Sequence, residues 1–179
     1  MMKPLFFLFL LLAFTGCSSK QAEDINAEQE QVANKVSIFA SKDNQKEWVL
    51  FADTVDFAEF QNVTLKDPSL LLKQDEKDSA RITGQTGIFD YTDRLVTIEG
   101  NAVIISYTEQ LTIKSKRFFY AIDSGRIWSD TKTVITRGTA TVTAKGGMET
   151  DAKLTKISLK QQTTRLPASA EELKREKHD

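Results

Sequence analysis

The 179-residue chain holds one cysteine, one histidine and three prolines, and its formal charge at neutral pH is only −1. Each scarcity removes a class of function. The lone histidine, His178, stands next to the last residue in a polar stretch, with no framework to make it a buried base or a supported metal ligand. Serine and threonine nucleophiles are then left with lysines and carboxylates as their only bases. Asp90, Asp123 and Asp151 fall in or beside turn-like segments, where local hydrogen bonding accounts for aspartate without a catalytic acid pair. The glycine-bearing GQTG (84–87) and KGG (145–147) open no helix, so neither is a phosphate loop. Lysine and arginine are mixed with acids instead of forming a stripe, which argues against nucleic acid as a partner. What is left is binding or scaffolding, with no enzyme activity, metal or cofactor expected.

The one cysteine has a telling position. Cys17 closes an apolar run from Pro4 to Thr15 behind a lone Lys3. That run has the length of a signal-peptide core and falls well short of the ~20 apolar residues a bilayer-spanning helix needs. Ala13-Phe14-Thr15-Gly16-Cys17 resembles a bacterial lipobox, with Phe14 where leucine is usual. Small residues let the chain lie flat for cleavage, and the thiol just after the cut takes the lipid. Lipidation at Cys17 also removes a free thiol that has no partner in an oxidising compartment. Two or more acyl chains there would hold the protein to a membrane, where one holds only marginally. The plain alternatives are a secreted protein with a stray thiol, or a short membrane anchor.

The expected organisation is a signal peptide over residues 1–16, a lipidated tether over 17–34, a β domain over 35–160 and a polar tail over 161–179. SSKQAEDINAEQEQVAN (18–34) has almost no apolar residue and suits a tether. The chain's eleven phenylalanines and many β-branched residues, against three prolines, favour sheet. KVSIFASKDNQKEWVLFADTVDF reads as a hairpin turning at 42–46, with Trp48, Leu50 and Ala52 on one face. Asp67-Pro68-Ser69 predicts a turn, and strands break at Gly84, at Thr92-Asp93, near Gly100, at Asp123-Ser124-Gly125 and near Gly146-Gly147. Ile88, Phe118 and Met148 open similar segments about thirty residues apart, which predicts stacked antiparallel hairpins that bury their faces on one another.

Several strands, among them WVLFA, VTIEGNAVIIS and RFFYAI, are apolar on both faces. Two explanations stand side by side: two sheets closed on a filled core, or a splayed sandwich whose interior takes acyl chains.

Four segments together, IFASKDNQKEWVLFADTVDF, GQTGIFDYTDRLVTIEGNAVI, IKSKRFFYAIDSGRIWSD and KGGMETDAKLTKISLK, resemble the LptC family of OstA-like proteins. The likeness covers about residues 36–160. It rests on the order of Trp48-x-Leu50-x-Ala52, Ile98-x-Gly100-x-x-Val103, Ile127-x-Ser129-Asp130 and Gly147-Met148. The resemblance implies an all-β, twisted β-jellyroll in the periplasm, working in lipopolysaccharide export without a cofactor of its own. Its partners would be lipopolysaccharide, the inner-membrane export transporter and a periplasmic OstA-like bridge protein. The implied lipid-binding residues are Trp48, Leu50, Ala52, Ile88, Ile98, Ala102, Ile104, Phe119 and Gly147. The implied partner edges are Val36, Ile38 and Phe39 in the first strand and Leu154, Ile157 and Leu159 in the last. Anchoring to the inner membrane is expected, although Ser18 stands where many inner-membrane lipoproteins carry aspartate, which leaves the outer membrane open. The competing expectations are a structural envelope lipoprotein with a closed sandwich and no cargo, and a lipid-anchored hydrolase, which the missing base disfavours.

Overall fold

The structure is a computed structural model, and it describes residues 31–165 except 43–44 and 60. Cys17 and the expected signal peptide lie outside those residues. The described chain forms fourteen strands, all antiparallel to their neighbours. In order they are β1 (Val32–Lys42), β2 (Gln45–Asp56), β3 (Asn62–Lys66), β4 (Ser69–Gln74), β5 (Lys77–Thr83), β6 (Thr86–Asp90) and β7 (Leu95–Ser106). There follow β8 (Leu111–Ala121), β9 (Arg126–Ser129), β10 (Thr133–Arg137), β11 (Ala140–Ala144), β12 (Met148–Asp151), β13 (Ile157–Leu159) and β14 (Gln162–Arg165).

Four long strands organise the rest. Each of β1, β2, β7 and β8 has one half in each of two layers, so a single hydrogen-bonded network folds into a two-layered jellyroll. The N-terminal half of β2 pairs with β4, and its C-terminal end pairs with β3. Likewise β7 pairs with β6 through Leu95–Glu99 and with β5 through Val103–Ser106. One end of β8 pairs with β10 and the other with β9. Layer A therefore contains β4, β5, β10, β11 and β14, and layer B contains β3, β6, β9, β12 and β13. The chain changes layer along one seam, at Asp67-Pro68, Gly84-Gln85, Gly100-Asn101, Asp130–Lys132, Gly146-Gly147 and Lys160-Gln161.

Local chemistry explains the seam. Gly100 (φ 81°) and Asn101 (φ 53°) are left-handed and together oppose one residue of β8, a bulge that bends β7. So β7 runs on past Gly100 as a kinked strand, where a break was expected. Gly147 has φ 90°, and a Cβ there would lie 2.0 Å from the Ser129 carbonyl oxygen, so only glycine fits. Opposite the seam lie the hairpin ends, alternately of layer A (residues 75–76, 107–110, 138–139) and layer B (91–94, 122–125, 152–156).

The thirty-residue similarity is real in this sense: Ile88, Phe118 and Met148 all lie on strands that run toward a layer B hairpin end. Their facing is not uniform, however. Phe118 and Met148 point inward, while Ile88 points out and Phe89 takes the inward place. With a two-residue period, a slip of one residue exchanges faces. The domain also outruns its expected limits. Val32–Asn34, assigned to the tether, pair with Thr54–Asp56, and Gln162–Arg165, assigned to the tail, pair with β11.

Candidate functional site

Among the described residues the interior between the layers is the one extensive buried apolar cluster, and strand alternation builds it. One inward row in layer A runs across the strands as Ile38, Leu50, Leu70, Ile82, Ile104 and Ile113. A facing row in layer B runs Val63, Phe89, Val96, Tyr120 and Ile127. All of these but the half-buried Ile38 belong to a single buried cluster, which also includes Trp48, Ile98, Phe118, Met148 and Leu154. Trp48 of layer A meets Phe89 of layer B edge-on, with ring centroids 6.4 Å apart.

The expected lipid-binding residues divide three ways. Trp48, Leu50, Ala52, Ile98, Ala102 and Ile104 are buried and face the interior. Ile88 and Phe119 do not. Ile88 is 45 % exposed on the outer face of layer B. Phe119 lies on the same face, stacked at 5.1 Å on Trp128, because Phe118 takes the inward position beside it. Gly147 is buried by the close approach of the Ser129 backbone and belongs to the seam. Sequence reasoning passed over Phe118, Phe89, Ile82 and Ile127. Pairing register was the missing signal, since RFFYAI offers two adjacent phenylalanines and only partner strands decide which one turns in.

The expected edges fare similarly. Among the described residues β1 pairs only with β2, and β13 only with β12, so Val36, Ile38 and Phe39 lie on one margin and Ile157 and Leu159 on another. Leu154 is not in a strand. It sits in a turn with φ 59°, buried against the core.

The interior is filled. Side chains from both layers interdigitate, so of the two explanations for doubly apolar strands the described form is the closed sandwich. An apolar surface cleft of about 520 Å³ lies at one end of layer B beside Phe57, Val63 and Tyr91. A smaller, more polar cleft of about 260 Å³ lies where the hairpin ends of the two layers meet, between Glu47, Lys73 and Ser79 on one side and Tyr120, Asp123 and Lys153 on the other. We call this margin the mouth. Burial, with Glu47 adding to it, pushes the Tyr120 phenol up to about 12.

Polar contacts are distributed unevenly between seam and mouth. At the seam, the Ser115 hydroxyl is hydrogen-bonded to those of Ser129 (2.8 Å) and Thr131 (2.9 Å) and donates to the Lys132 carbonyl (3.1 Å). Backbone N–H groups of Asp67, Gln85, Lys145, Gly146 and Lys160 donate across the bends. At the hairpin ends every side-chain bond stays within one layer: Lys73 to Asp78 and Arg137 to Glu109 in A, Arg94 to Asp123 and Arg126 to Glu149 in B. Among the described residues no hydrogen bond or ion pair joins layer A to layer B across the mouth. Nor, among them, do three or more His, Cys, Asp or Glu side chains gather to hold a metal.

A jellyroll whose interior is almost wholly aliphatic and aromatic, with its polar chemistry confined to seam and surface, is a binding or bridging module. The family model described as "Lipopolysaccharide-assembly, LptC-related" matches residues 5–166, and the chain belongs to that family. Membership makes it a periplasmic, inner-membrane-associated component of lipopolysaccharide transport, acting with lipopolysaccharide and the other transport components. No curated protein matches the chain in sequence.

Proposed function

We propose that this protein is a lipid-anchored carrier. It receives the acyl chains of lipopolysaccharide from the inner-membrane export transporter between its two layers, and passes them to a periplasmic β-jellyroll bridge. Residues 1–16 are removed and Cys17 is lipidated. The stretch before β1 is the tether to the inner membrane.

One observation carries the reading: among the described residues the layers are bonded along the seam, and at the mouth no hydrogen bond or ion pair joins them. Parting them there breaks no hydrogen bond among the described residues, and an entering acyl chain replaces one apolar contact with another. An empty trough open to water would be unfavourable, so the closed form is what an unloaded carrier adopts. Each buried CH₂ contributes about 0.8 kcal/mol, so a chain leaving into water loses far more than one passing to a second apolar interior. The free margins of β1 and β13 suit edge-to-edge extension by jellyrolls of the transporter and of the bridge.

The filled interior also favours a second reading, a structural envelope lipoprotein without cargo. Photoreactive residues separate the two. At Leu50 or Ile104 the carrier crosslinks to lipopolysaccharide in cells, while at the outward Ile88 and Phe119 it does not. Absence of interior crosslinks, with crosslinks from β13 to the bridge retained, supports the structural reading instead. Ile157→Pro should abolish the β13 crosslink while the domain still folds. An unchanged crosslink would overturn that edge assignment.

A further inference from the structure

The outer faces of the two layers differ in kind. Layer B carries side chains adapted to water. Arg117 donates to Asp130 (2.6 Å) and faces Glu99, and Arg126 donates to Glu149 through two nitrogens at 2.7 and 2.8 Å. The two arginines cover the outer faces of the stacked Phe119–Trp128 pair, at 5.3 and 4.6 Å from the ring centres. Both of these arginines have an acid partner, and each ring of the stacked pair has a cation over it.

Among the described residues the centre of layer A's outer face holds no such ion pair. Its outer row runs Phe39, Val49, Leu71, Arg81, Ile105 and Thr112 across the strands. Val49 and Leu71 are buried yet stand outside the interior cluster, so they form a small apolar seat of their own. Around that seat Phe39 is 54 % exposed, and Phe51 and Ile105 are each 43 % exposed. Arg81 lies in the middle, its Nε buried and without a hydrogen-bond partner. Among the described residues neither Arg81 nor Lys114, in the adjacent row, makes an ion pair. Lys46 at the margin lies over the Phe39 ring at 4.7 Å. The two central rows hold no acid, and Asp53 and Asp67 stand only at the seam border.

We infer that this face of layer A docks on an anionic membrane surface. Phe39, Phe51 and Ile105 enter the boundary between headgroups and acyl chains, and Arg81, Lys114 and Lys46 meet lipid phosphates. Two features select lipid over a protein partner. The charges of the central face are all cationic in a chain whose net charge is −1, which complements an anionic leaflet. Exposed rings flanked by long cationic side chains are also the composition of an interfacial face, since the stems bury while the charged ends reach phosphate. The inference rests on the membrane-anchored reading above. From Cys17 to Val32 the chain reaches at most about 50 Å, enough for the domain to lie down beside its anchor.

The test uses the full chain reconstituted in vesicles of phosphatidylethanolamine and phosphatidylglycerol, with a fluorescent amino acid encoded at position 39, 105 or 88. Docking gives blue-shifted emission and protection from an aqueous quencher at 39 and 105, with 88 remaining accessible. The double variant Arg81→Gln, Lys114→Gln should lower the docked fraction relative to the free one roughly five-fold for each cation removed. Vesicles that carry the protein but leave 105 as accessible as 88 overturn the docking while leaving the anchor intact. A chain that fails to float with vesicles overturns the anchored reading and this inference with it. Equal protection on pure phosphatidylcholine, or protection only after the transporter is added, assigns the face to another occupant and overturns the anionic-lipid reading.

Discussion

Seam and mouth are opposite margins of one apolar interior, built by opposite means. The seam is polar and stereochemically demanding: glycine where backbones touch, left-handed residues where strands bend, and a knot of hydroxyls around Ser115. The mouth is a meeting of hairpin ends, tight turns with left-handed residues of their own, whose polar side chains among the described residues bond only within their own layer. The difference teaches where such a fold can move. Hydrogen bonds are directional and cost free energy to leave unmade when buried, whereas apolar contact is non-directional and accepts a substitute partner. On the proposed carrier reading, that chemistry puts the hinge at the seam and the opening at the mouth.

The strongest way to break the comparison is at the seam. Gly147→Ala places a methyl against the Ser129 carbonyl at a left-handed position, and should lower stability by more than about 3 kcal/mol in denaturant unfolding. Gly138→Ala, also left-handed (φ 58°) but with nothing within 4 Å, should cost only about 1 kcal/mol. Equal losses would mean the close approach at Gly147 is not real. At the mouth, Phe89→Ala should cost about 3 kcal/mol and, more tellingly, open the margin. In a Trp128→Phe background it should raise aqueous quenching of the buried Trp48, and quenching unchanged from the parent would deny that Phe89 closes the layers.

A smaller effect comes with pH. The folded Tyr120 phenol holds its proton more tightly than the unfolded one, so its contribution is complete below about pH 10 and is lost as pH rises toward 12. Tyr120→Phe should flatten the alkaline limb of a stability profile, and an unaltered limb would show that Tyr120 is not its source. The smallest effect belongs to the water-adapted outer face. Arg126→Gln breaks an exposed pair with Glu149 and should change stability only slightly, and still less with added salt. A larger loss, insensitive to salt, would point to the ring stacking beneath the arginine.

Much of the fold was legible in the residues. The turn at Asp67-Pro68, the hairpins, the all-β class and the thirty-residue recurrence follow from alternation and turn chemistry, which act within a few residues. Inward-facing Trp48, Leu50, Ala52, Ile98, Ala102 and Ile104 were legible for the same reason. Phe118 against Phe119 and Phe89 against Ile88 were not, because each pair is nearly equivalent in propensity and only distant partner strands choose between them. Leu154 was read as strand because an apolar residue before ISL extends the pattern. Its left-handed backbone and burial belong to a turn that exists only once β12 and β13 pair.

By itself the sequence determined the class of fold, the position of a lipobox-like cysteine before it, and a composition rich in doubly apolar strands. These depend on side-chain chemistry and short-range geometry, which any stretch of chain carries with it. Only the tertiary structure decided that the interior is closed and that the polar bonds joining its layers gather along one margin. It alone decided, too, that paired arginines cover the rings of one outer face while the centre of the other sets cations among exposed apolar side chains. Those properties are set by which strands lie side by side, and residues far apart along the chain settle that jointly.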